Sequence, residues 1–344
     1  MRPTFQVIPI LCKSPLLAVG LAVGIAALAL SACNGPASSF SPAGAAQPQS
    51  GRPLTGSSAT ASPIPFKFQT VDDPNSGWNA VNGINQLGKI VGVYGGGQSS
   101  SLYRSYYSRP PYSKFSGMNY AGAQGTYAIG VSSNKIVVGY VIDPGSQSGI
   151  WGFLRVNSAW TLTSDPNEGT GSDQVTEMLG VNDSGSAVGL YVNPSGFDVP
   201  FIYGIGTDYY SDLNPPGAVN AAATGINGKN EITGWSTNGK GVTEGWFLKT
   251  GTYYFFQYPG AQATWATSLN WQDQVCGYYE DGQGKYHGFV LTGPTKGGSQ
   301  ELWQAVDEEN GSGGTWVTGI NNHKYITGYY VDNNGKQHGF LAHP

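Results

Sequence analysis

Residues 319–341 read GINNHKYITGYYVDNNGKQHGFL and contain two glycines nine residues apart, Gly319 and Gly328. The same spacing occurs six times, with one serine in place of a glycine. The pairs are Gly83 and Gly92, Gly130 and Gly139, Gly180 and Gly189, Gly225 and Gly234, Ser268 and Gly277, and Gly319 and Gly328. Successive first members are 47, 50, 45, 43 and 51 residues apart. A fixed inner spacing with a variable outer one indicates one supersecondary unit that is repeated, with insertions confined to loops.

Each unit reads as four short strands. The first alternates small and apolar residues over about six positions, as at residues 315–321, which is typical of a strand. Gly, Asn and Asp follow, which tolerate the left-handed backbone of a tight hairpin. The second strand has β-branched and aromatic residues, as at 326–330, and the third begins near a Gly-Phe pair, as at 338–340. The fourth is aromatic, as at 253–258.

Antiparallel four-stranded units that repeat radially predict an all-β fold, a β-propeller of six four-stranded blades. Residues 66–71 read as a lone fourth-type strand, whereas the sixth unit ends after its third strand at 339–342. We therefore expect the N-terminal strand to complete the last blade and remove exposed sheet edges. The first strand of each unit should lie innermost, where only small side chains fit. An open β-solenoid is the alternative, but its coils are usually shorter and need no complementary end strand.

The N-terminal 33 residues have the features of a targeting segment. Arg2 and Lys13 precede an uncharged apolar run at 16–30, and small residues come directly before Cys33. This segment resembles the bacterial lipoprotein signal, which implies that Cys33 is acylated with fatty acids such as palmitate and begins the mature chain. An ordinary secretory signal or a retained anchor is the alternative, although the run is shorter than the roughly 20 residues of a membrane span. The resemblance also implies outer-membrane placement, because Asn34 stands where an aspartate would signal inner-membrane retention.

Residues 34–65 are rich in Ser, Ala, Pro and Gly, with Arg52 as the only charge, which predicts a flexible linker before the propeller at 66–344. Loss of the signal, with its two basic residues, changes the net charge from −4 to −6. A mildly acidic chain without a basic run is a poor candidate for binding nucleic acid. Only Cys33 and Cys276 would remain, so no disulfide framework is expected, and Cys276 reads as a small core residue.

The repeated unit resembles the bacterial HAF-type extracellular repeat. The shared elements are Gly-Ile-Asn, then Ile-Val-Gly-x-Tyr, then Asp-x-x-Gly-x-x-His-Gly-Phe, and they are clearest at 319–341 and 268–291. Units one and three depart from the pattern at residues 102–103 and 200–201, where His-Gly-Phe is expected. The resemblance covers 66–344 and implies extracellular placement, but it does not imply a catalytic residue.

A candidate ligand face follows from the predicted topology. In a four-stranded blade, the turns between strands two and three emerge on the same face as the loops between blades. The aspartates expected on that face are Asp72, Asp143, Asp212, Asp281, Asp307 and Asp332. With nearby tyrosines they would bind sugars through stacking and hydrogen bonds. The alternative is that these aspartates bond to the backbone of their own turns, as their recurrence suggests.

No metal or cofactor is predicted from any motif. Residues 332–335 resemble part of a calcium loop, but the twelfth position is His343 where an EF-hand needs glutamate, so a looser calcium site is the alternative that stays open. His287 and His338 recur at one place in two units, where zinc would need a third ligand. No serine nucleophile box or HExxH sequence is found.

These observations together predict a monomeric, lipid-anchored propeller at the bacterial surface. We expect it to act as a non-catalytic binding module for polysaccharide or a protein partner. A glycan-acting hydrolase that uses Asp72, Asp212 or Asp307 is the first alternative, since propellers host glycosidases. A structural envelope protein without a small ligand is the second.

Overall fold

The computed structural model describes residues 65–74, 76–95, 103–295 and 301–344. The predicted signal at 1–33, with Cys33, and the linker up to residue 64 lie outside these ranges. Within the ranges, the only helix is a 3-10 turn at Gly171–Asp173. No helix in this part of the chain is long and apolar enough to cross a membrane.

The described residues otherwise form β-strands that follow the six repeat units. The strands are β1 (Lys67–Thr70), β2 (Trp78–Ile84), β3 (Ile90–Gly95), β4 (Arg104–Ser108), β5 (Ser116–Gly117), β6 (Gly125–Val131), β7 (Ile136–Ile142), β8 (Ile150–Val156), β9 (Ala159–Thr163), β10 (Thr176–Val181), β11 (Ser186–Val192), β12 (Asp198–Gly204), β13 (Tyr209–Asp212), β14 (Ala218–Ile226), β15 (Ile232–Asn238), β16 (Thr243–Lys249), β17 (Thr252–Phe256), β18 (Ala263–Leu269), β19 (Gln274–Glu280), β20 (Tyr286–Thr292), β21 (Leu302–Val306), β22 (Gly314–Ile320), β23 (Ile326–Val331) and β24 (Gln337–His343).

Units 1 to 5 are the consecutive meanders β2–β5, β6–β9, β10–β13, β14–β17 and β18–β21, and unit 6 is β22–β24 with β1. The all-β propeller fold is confirmed, but the six separate sheets are not. The described strands form four separate four-stranded sheets and one eight-stranded sheet that holds units 4 and 5. A single parallel bridge between Thr243 and Ala263 joins those two units. Bridges at the same place, from Tyr103 to Gly125 and from Ile150 to Val175, lie outside regular pairing and leave their sheets separate.

The first and last parts of the described chain share one sheet. Strand β1 pairs antiparallel with β24, from Lys67 opposite His343 to Thr70 opposite Phe340. The N-terminal strand is therefore the outer strand of unit 6, and the sheet order is β1-β24-β23-β22. This pairing joins the two ends of the array and covers the outer edge of β24.

The second glycine of each pair lies against a backbone carbonyl group of the first strand and an aromatic ring of the third strand. A Cβ atom at Gly328 would lie 1.9 Å from the carbonyl oxygen of Trp316 and 2.7 Å from the ring of Phe340. At Gly189 the corresponding distance to the oxygen of Glu177 is 1.9 Å. No side chain fits such a contact, which explains why this glycine is present in all six units.

The asparagine of the Gly-Ile-Asn motif has two functions. In Asn321, Oδ1 accepts the backbone N–H groups of His323 and Tyr325 at 3.0 and 3.1 Å, and so it fixes the hairpin turn. Its Nδ2 donates to the carbonyl oxygen of Asn85 in unit 1 at 3.1 Å, and Asn321 itself is 1% exposed. We call Asn85, Asn182, Asn227, Asn270 and Asn321 the asparagine belt.

The belt links five of the six joints between neighbouring units. The donor and acceptor pairs are Asn85 to Ser132, Asn182 to Asn227, Asn227 to Asn270, Asn270 to Asn321, and Asn321 to Asn85. At the sixth joint, between units 2 and 3, Ser132 stands in the place of the motif asparagine. Its short hydroxyl accepts the N–H of Ile136 in its own turn at 3.2 Å. There the backbone N–H of Ser133 donates to Asp183 at 2.6 Å on the exposed surface instead.

A second layer of bonds starts from a β-bulge in each first strand. In unit 6 the bulged residue is Thr318, whose hydroxyl donates to the carbonyl oxygen of Val81 at 2.6 Å. Asn82, Thr224 and Thr267 make the equivalent bond to the next unit. Units 2 and 3 have the apolar Ile129 and Leu179 at this position. The joint between units 2 and 3 therefore lacks both kinds of buried side-chain bond.

We predict that Gly328→Ala destabilises the fold by about 3 kcal/mol or more, because the new methyl overlaps a buried carbonyl oxygen that cannot move away. The matched control is Gly282→Ala in an exposed turn, where an added Cβ meets nothing within 4 Å. This control should be neutral or stabilising by up to about 1 kcal/mol. Urea unfolding of both variants measures the difference, and equal stabilities would contradict the packing argument.

We also predict that Asn321→Asp destabilises by about 2 kcal/mol, because the turn acceptor is kept while the buried donor to Asn85 is lost. Asn193→Asp is the control, since Asn193 accepts the same two turn bonds, from Ser195 and Phe197, without an observed bond to another unit. That change should lie within about 0.5 kcal/mol of the wild type. Thermal unfolding compares the two, and a loss of similar size in both would mean that the turn, and not the joint, matters.

Candidate functional site

Twelve side-chain positions surround the propeller axis. Each unit provides two of them, one three residues before the first glycine on the first strand and one directly after the second glycine on the second strand. The two positions are direct cross-strand partners in every unit. The pairs are Ala80 and Val93, Tyr127 and Tyr140, Glu177 and Leu190, Ala222 and Trp235, Trp265 and Tyr278, and Trp316 and Tyr329.

An axial cavity of about 180 Å³ runs among these strands. At the level of the twelve positions its wall includes Tyr127, Tyr140, Glu177, Tyr278 and Tyr329. At the other end its wall consists of residues from the turns between first and second strands. These turn residues are Gln86, Ser133, Asp183, Gly228 and Trp271. The cavity is smaller than the roughly 300–1,000 Å³ of pockets that bury drug-sized ligands, so it suits one small unit.

Two groups of neighbouring aromatic rings include residues of the twelve positions. The first aromatic arc comprises Tyr103, Tyr127 and Tyr140. In it the centroids of Tyr103 and Tyr127 are 5.1 Å apart and those of Tyr127 and Tyr140 are 4.7 Å apart. These spacings are typical of attractive aromatic pairs.

The second aromatic arc comprises Trp265, Tyr278, Tyr286, Trp316 and Tyr329. Trp265 stacks on Tyr278 at 5.1 Å, Tyr286 stacks on Trp316 at 5.3 Å, and Trp316 stacks on Tyr329 at 4.9 Å. Units 1, 3 and 4 have no pair of rings at the twelve positions, because their partners are Ala80 with Val93, Glu177 with Leu190 and Ala222 with Trp235. Of these rings, Tyr127, Tyr140, Tyr278 and Tyr329 belong to the cavity wall. Trp78 of unit 1 adds a further ring, and unit 3 adds the carboxyl group of Glu177.

Glu177 is the acidic exception among the twelve positions. It is 1% exposed, and neither carboxyl oxygen has a hydrogen-bond partner among the described residues. Burial, with a smaller contribution from the charge of Asp198, raises the pKa of Glu177 to about 8. Asp198 is itself buried, and this burial raises its pKa to about 7. No lysine, arginine or histidine is part of the cavity wall that the described residues form, so Glu177 has no counter-charge there.

Trp271 lies at the turn end of the cavity and is 50% exposed. Its indole lies over the backbone of Gly228, where a Cβ atom would be 2.5 Å from the ring. Its backbone N–H donates to Asn322 of the next unit at 2.9 Å. The ring thus packs on Gly228, and the backbone that carries it is bonded to the neighbouring unit. The ring presents an apolar surface to solvent at the mouth of the cavity.

Four of the six predicted aspartates form two clusters with the histidines. In unit 6, His338 lies 2.6 Å from Asp72 and 3.5 Å from Asp332. In unit 5, His287 lies 3.0 Å from Asp307 and 3.3 Å from Asp281. Each histidine therefore ties an inter-unit loop to the turn between strands two and three.

The turn aspartates are also used by the backbone. Asp332 accepts the N–H groups of Asn334 and Lys336, both at 2.8 Å. Asp281 accepts two such bonds in its own turn, from Gln283 and Lys285. These bonds are the leading cause of the lowered pKa of both carboxyls, with the histidines as smaller contributors.

Asp143 and Asp212 lie in units 2 and 3, away from these clusters. Asp143 accepts the N–H of Gly149 at 2.8 Å, and Asp212 lies 3.3 Å from the hydroxyl of Tyr191. None of the six aspartates belongs to the wall of the axial cavity. The structure thus does not bring them together into one site, and a ligand face formed by them stays a prediction.

The described residues contain no group of three His, Cys, Asp or Glu side chains placed to hold a metal ion. Cys276 is fully buried, and this burial raises the pKa of its thiol to about 12. It therefore lacks the properties of a nucleophile, in agreement with its interpretation as a core residue.

Glu177 and Trp271 were not predicted from the sequence as site residues. The signal for Glu177 is present in the repeat, because five units have Ala, Tyr or Trp at that position and unit 3 has a carboxyl group. Trp271 directly follows the motif asparagine, where the other units have Gln, Ser, Asp, Gly and Asn. In both cases a departure from the repeat, and not its consensus, indicates the candidate site.

Comparison with known proteins supports the fold and is silent on the ligand. No family model matches the chain, and no curated protein matches its sequence significantly. Among solved structures, it resembles a protein of unknown function from Dyadobacter fermentans at a TM-score of 0.54 and 10% identity, over 81% of this chain and 97% of that chain. A subtype N11 neuraminidase-like protein of A/flat-faced bat/Peru (H18N11) gives 0.50 and 10%, over 85% and 96%.

The fungal lectin of Aleuria aurantia, a six-bladed β-propeller with a novel fucose recognition mode, gives a TM-score of 0.44 at 10% identity, over 79% of this chain and 93% of that chain. At such identities only the fold is comparable. The sheets and their ring of inter-unit bonds define this chain as a β-propeller protein, and its ligand must be argued from its own cavity.

The raised pKa values predict a falling stability between about pH 5 and pH 8. The raised pKa values of about 7 for Asp198 and about 8 for Glu177 mean that the folded protein loses these protons only near those pH values, whereas unfolded carboxyls, with pKa values of about 4, have already lost them. Because the folded state then binds more protons than the unfolded state, stability decreases as pH rises. Thermal unfolding from pH 5 to pH 8 should show this slope, and Glu177→Gln should make it shallower. The exposed Glu309→Gln should keep the wild-type slope, and identical slopes in all three would contradict the assignment.

Proposed function

We propose that the protein is a non-catalytic carbohydrate-binding β-propeller that takes one sugar unit of a glycan into the axial cavity. The observation that carries this proposal is the exposed indole of Trp271 at the mouth of a narrow, aromatic-walled cavity. Sugars present C–H faces that pack on aromatic rings and hydroxyls that need a few polar partners. A glycan end would pack on Trp271 and direct its terminal unit inward between the two aromatic arcs.

The proposal includes six blades. We count units 4 and 5 as separate blades, because the bridge between Thr243 and Ala263 corresponds to the isolated bridges between units 1 and 2 and between units 2 and 3. Strand β1 then completes blade six. The ring of bonds from the asparagine belt, which returns from Asn321 to Asn85, supports this count.

The proposal also places the protein on the outside of the cell. The apolar run that ends at Cys33 supports a lipid anchor, and the composition of residues 34–65 supports a tether that keeps the propeller away from the lipid. The resemblance to the HAF-type repeat supports the same location. A tethered monomer at this surface would bind polysaccharide of the envelope or of the surroundings.

Binding without hydrolysis is favoured by the carboxyl groups of the cavity. Glycoside hydrolysis usually needs two carboxyls about 5–9.5 Å apart across one bond. The wall contains two, Glu177 at the buried level and Asp183 in an exposed turn. Asp183 accepts the backbone N–H of Ser133 at 2.6 Å and so helps hold the joint between units 2 and 3. Glu177 lies near the start of β10 and Asp183 lies in the turn after this strand, so the strand separates the two carboxyls.

The purified protein should sediment with insoluble polysaccharides or cell-wall material without releasing soluble sugar. We predict that Trp271→Ala weakens this binding about 10-fold or more, because one aromatic platform is worth about 1–3 kcal/mol. The measurement is a binding isotherm from the protein left in the supernatant. The control is Tyr209→Ala, which removes an exposed ring of 68% accessibility that is not part of the cavity wall.

The outcomes separate the three classes of function. Sugar release above that of heat-inactivated protein would replace the binding module with a hydrolase. Binding that Trp271→Ala and Tyr209→Ala weaken equally would move the site away from the cavity. No sedimentation with any glycan would overturn carbohydrate binding and favour a protein partner or a structural role.

A further inference from the structure

The buried end of the axial cavity has a feature that binding of a neutral sugar does not need. Glu177 has two carboxyl oxygens without a hydrogen-bond partner, and it lies in the cavity wall at 1% exposure. A polar group buried in this way costs free energy unless a partner satisfies it. Because Glu177 belongs to the cavity wall, a ligand bound in the cavity would be able to supply the missing partner.

We propose that the cavity selects an amino sugar whose amino group is not acetylated, and that its ammonium group pairs with the carboxylate of Glu177. This inference rests on the proposed carbohydrate binding and names the kind of sugar. The ammonium group would donate hydrogen bonds to the two free oxygens. The aromatic arcs would surround the rest of the ring.

The charge of the cavity wall supports a cationic ligand. Its described residues include no basic side chain, and Asp183 is the other acidic one. Asp198 lies behind Glu177, close enough for its charge to raise the pKa of Glu177. A cation in the cavity would therefore be attracted by these carboxyl groups in their ionised forms, and no group of like charge in the wall would oppose it.

The rings beside Glu177 favour an organic cation over a metal ion. Burial is the main cause of the raised pKa values of Tyr140 and Tyr127, and the charge of Glu177 contributes to both. Both rings are therefore close to the Glu177 carboxyl group. Aromatic faces attract ammonium groups. Calcium needs six to eight oxygen ligands, and the described residues hold no group of three potential metal ligands. One carboxylate and aromatic walls suit an ammonium group.

Binding should be linked to loss of a proton. The titratable groups that face Glu177 are Asp198 from β12, Tyr127 from β6 and Tyr140 from β7. The tyrosines stay neutral, since burial raises their pKa values further above neutrality. An ammonium ligand stabilises the ionised form of Glu177, which is mostly protonated at pH 7 without ligand. Binding at pH 7 should thus release close to one proton, and affinity should rise towards pH 8.

Isothermal titration calorimetry at pH 7 with glucosamine, N-acetylglucosamine and glucose tests the inference. We expect glucosamine to bind at least 10-fold more tightly than the two neutral sugars. Titrations in buffers of different ionisation enthalpy should show the released proton. Glu177→Gln should remove the preference for glucosamine over glucose. Asp198→Asn, a buried carboxyl outside the cavity wall, should retain the preference.

The results distinguish failure of the inference from failure of the proposed function. Equal affinity for the three sugars, or a preference that survives Glu177→Gln, overturns the amino-sugar inference and leaves carbohydrate binding intact. Binding of lysine amide with no binding of any sugar overturns both. The wild-type preference and proton release need no variant, so a Glu177→Gln protein that fails to fold still leaves a decisive measurement.

Discussion

The side-chain amide of the motif asparagine is the interaction on which this propeller depends. Each amide uses its oxygen to close a hairpin turn and its nitrogen to bond to the next unit, so one residue type specifies both the local turn and the long-range joint. In unit 6 the acceptor is 236 residues away in unit 1. The nitrogen reaches the neighbouring unit only when the turn has the correct shape. An incorrectly formed turn therefore also loses the bond to the next unit.

The features of the fold that depend on local geometry could be predicted from the sequence. The glycine spacing and the alternation in residues 315–321 predict strands, units and a radial array, since these depend on local geometry. The pairing of β1 with β24 could be predicted because one strand was missing at one end and spare at the other. The merging of units 4 and 5 into one sheet could not be predicted from the sequence. It depends on whether Thr243 and Ala263 pair as parts of regular strands or as an isolated bridge, and small differences in distance decide this.

The candidate site was harder to predict, for a physical reason. The six aspartates were predicted as a ligand face because aspartate recurs in the repeat, but a repeated turn also requires such recurrence. Asp281 and Asp332 each accept hydrogen bonds from the backbone of their own turn and contact one histidine. A ligand on the axis of a ring can instead contact all units at once, and a specific site there needs the units to differ. Glu177 and Trp271 are such differences, and their positions relative to the axis require the strand register.

The incomplete joint between units 2 and 3 gives the cavity a further property. Tyr127 and Tyr140 lie on one side of this joint and Glu177 lies on the other. The joint has neither the bond from a motif asparagine nor the bond from a bulged residue. A ligand held between these side chains would act as the missing crosslink of the ring. Occupancy would then add a crosslink to a joint that has neither kind of buried side-chain bond, so that the filled protein would be stiffer at this joint than the empty one.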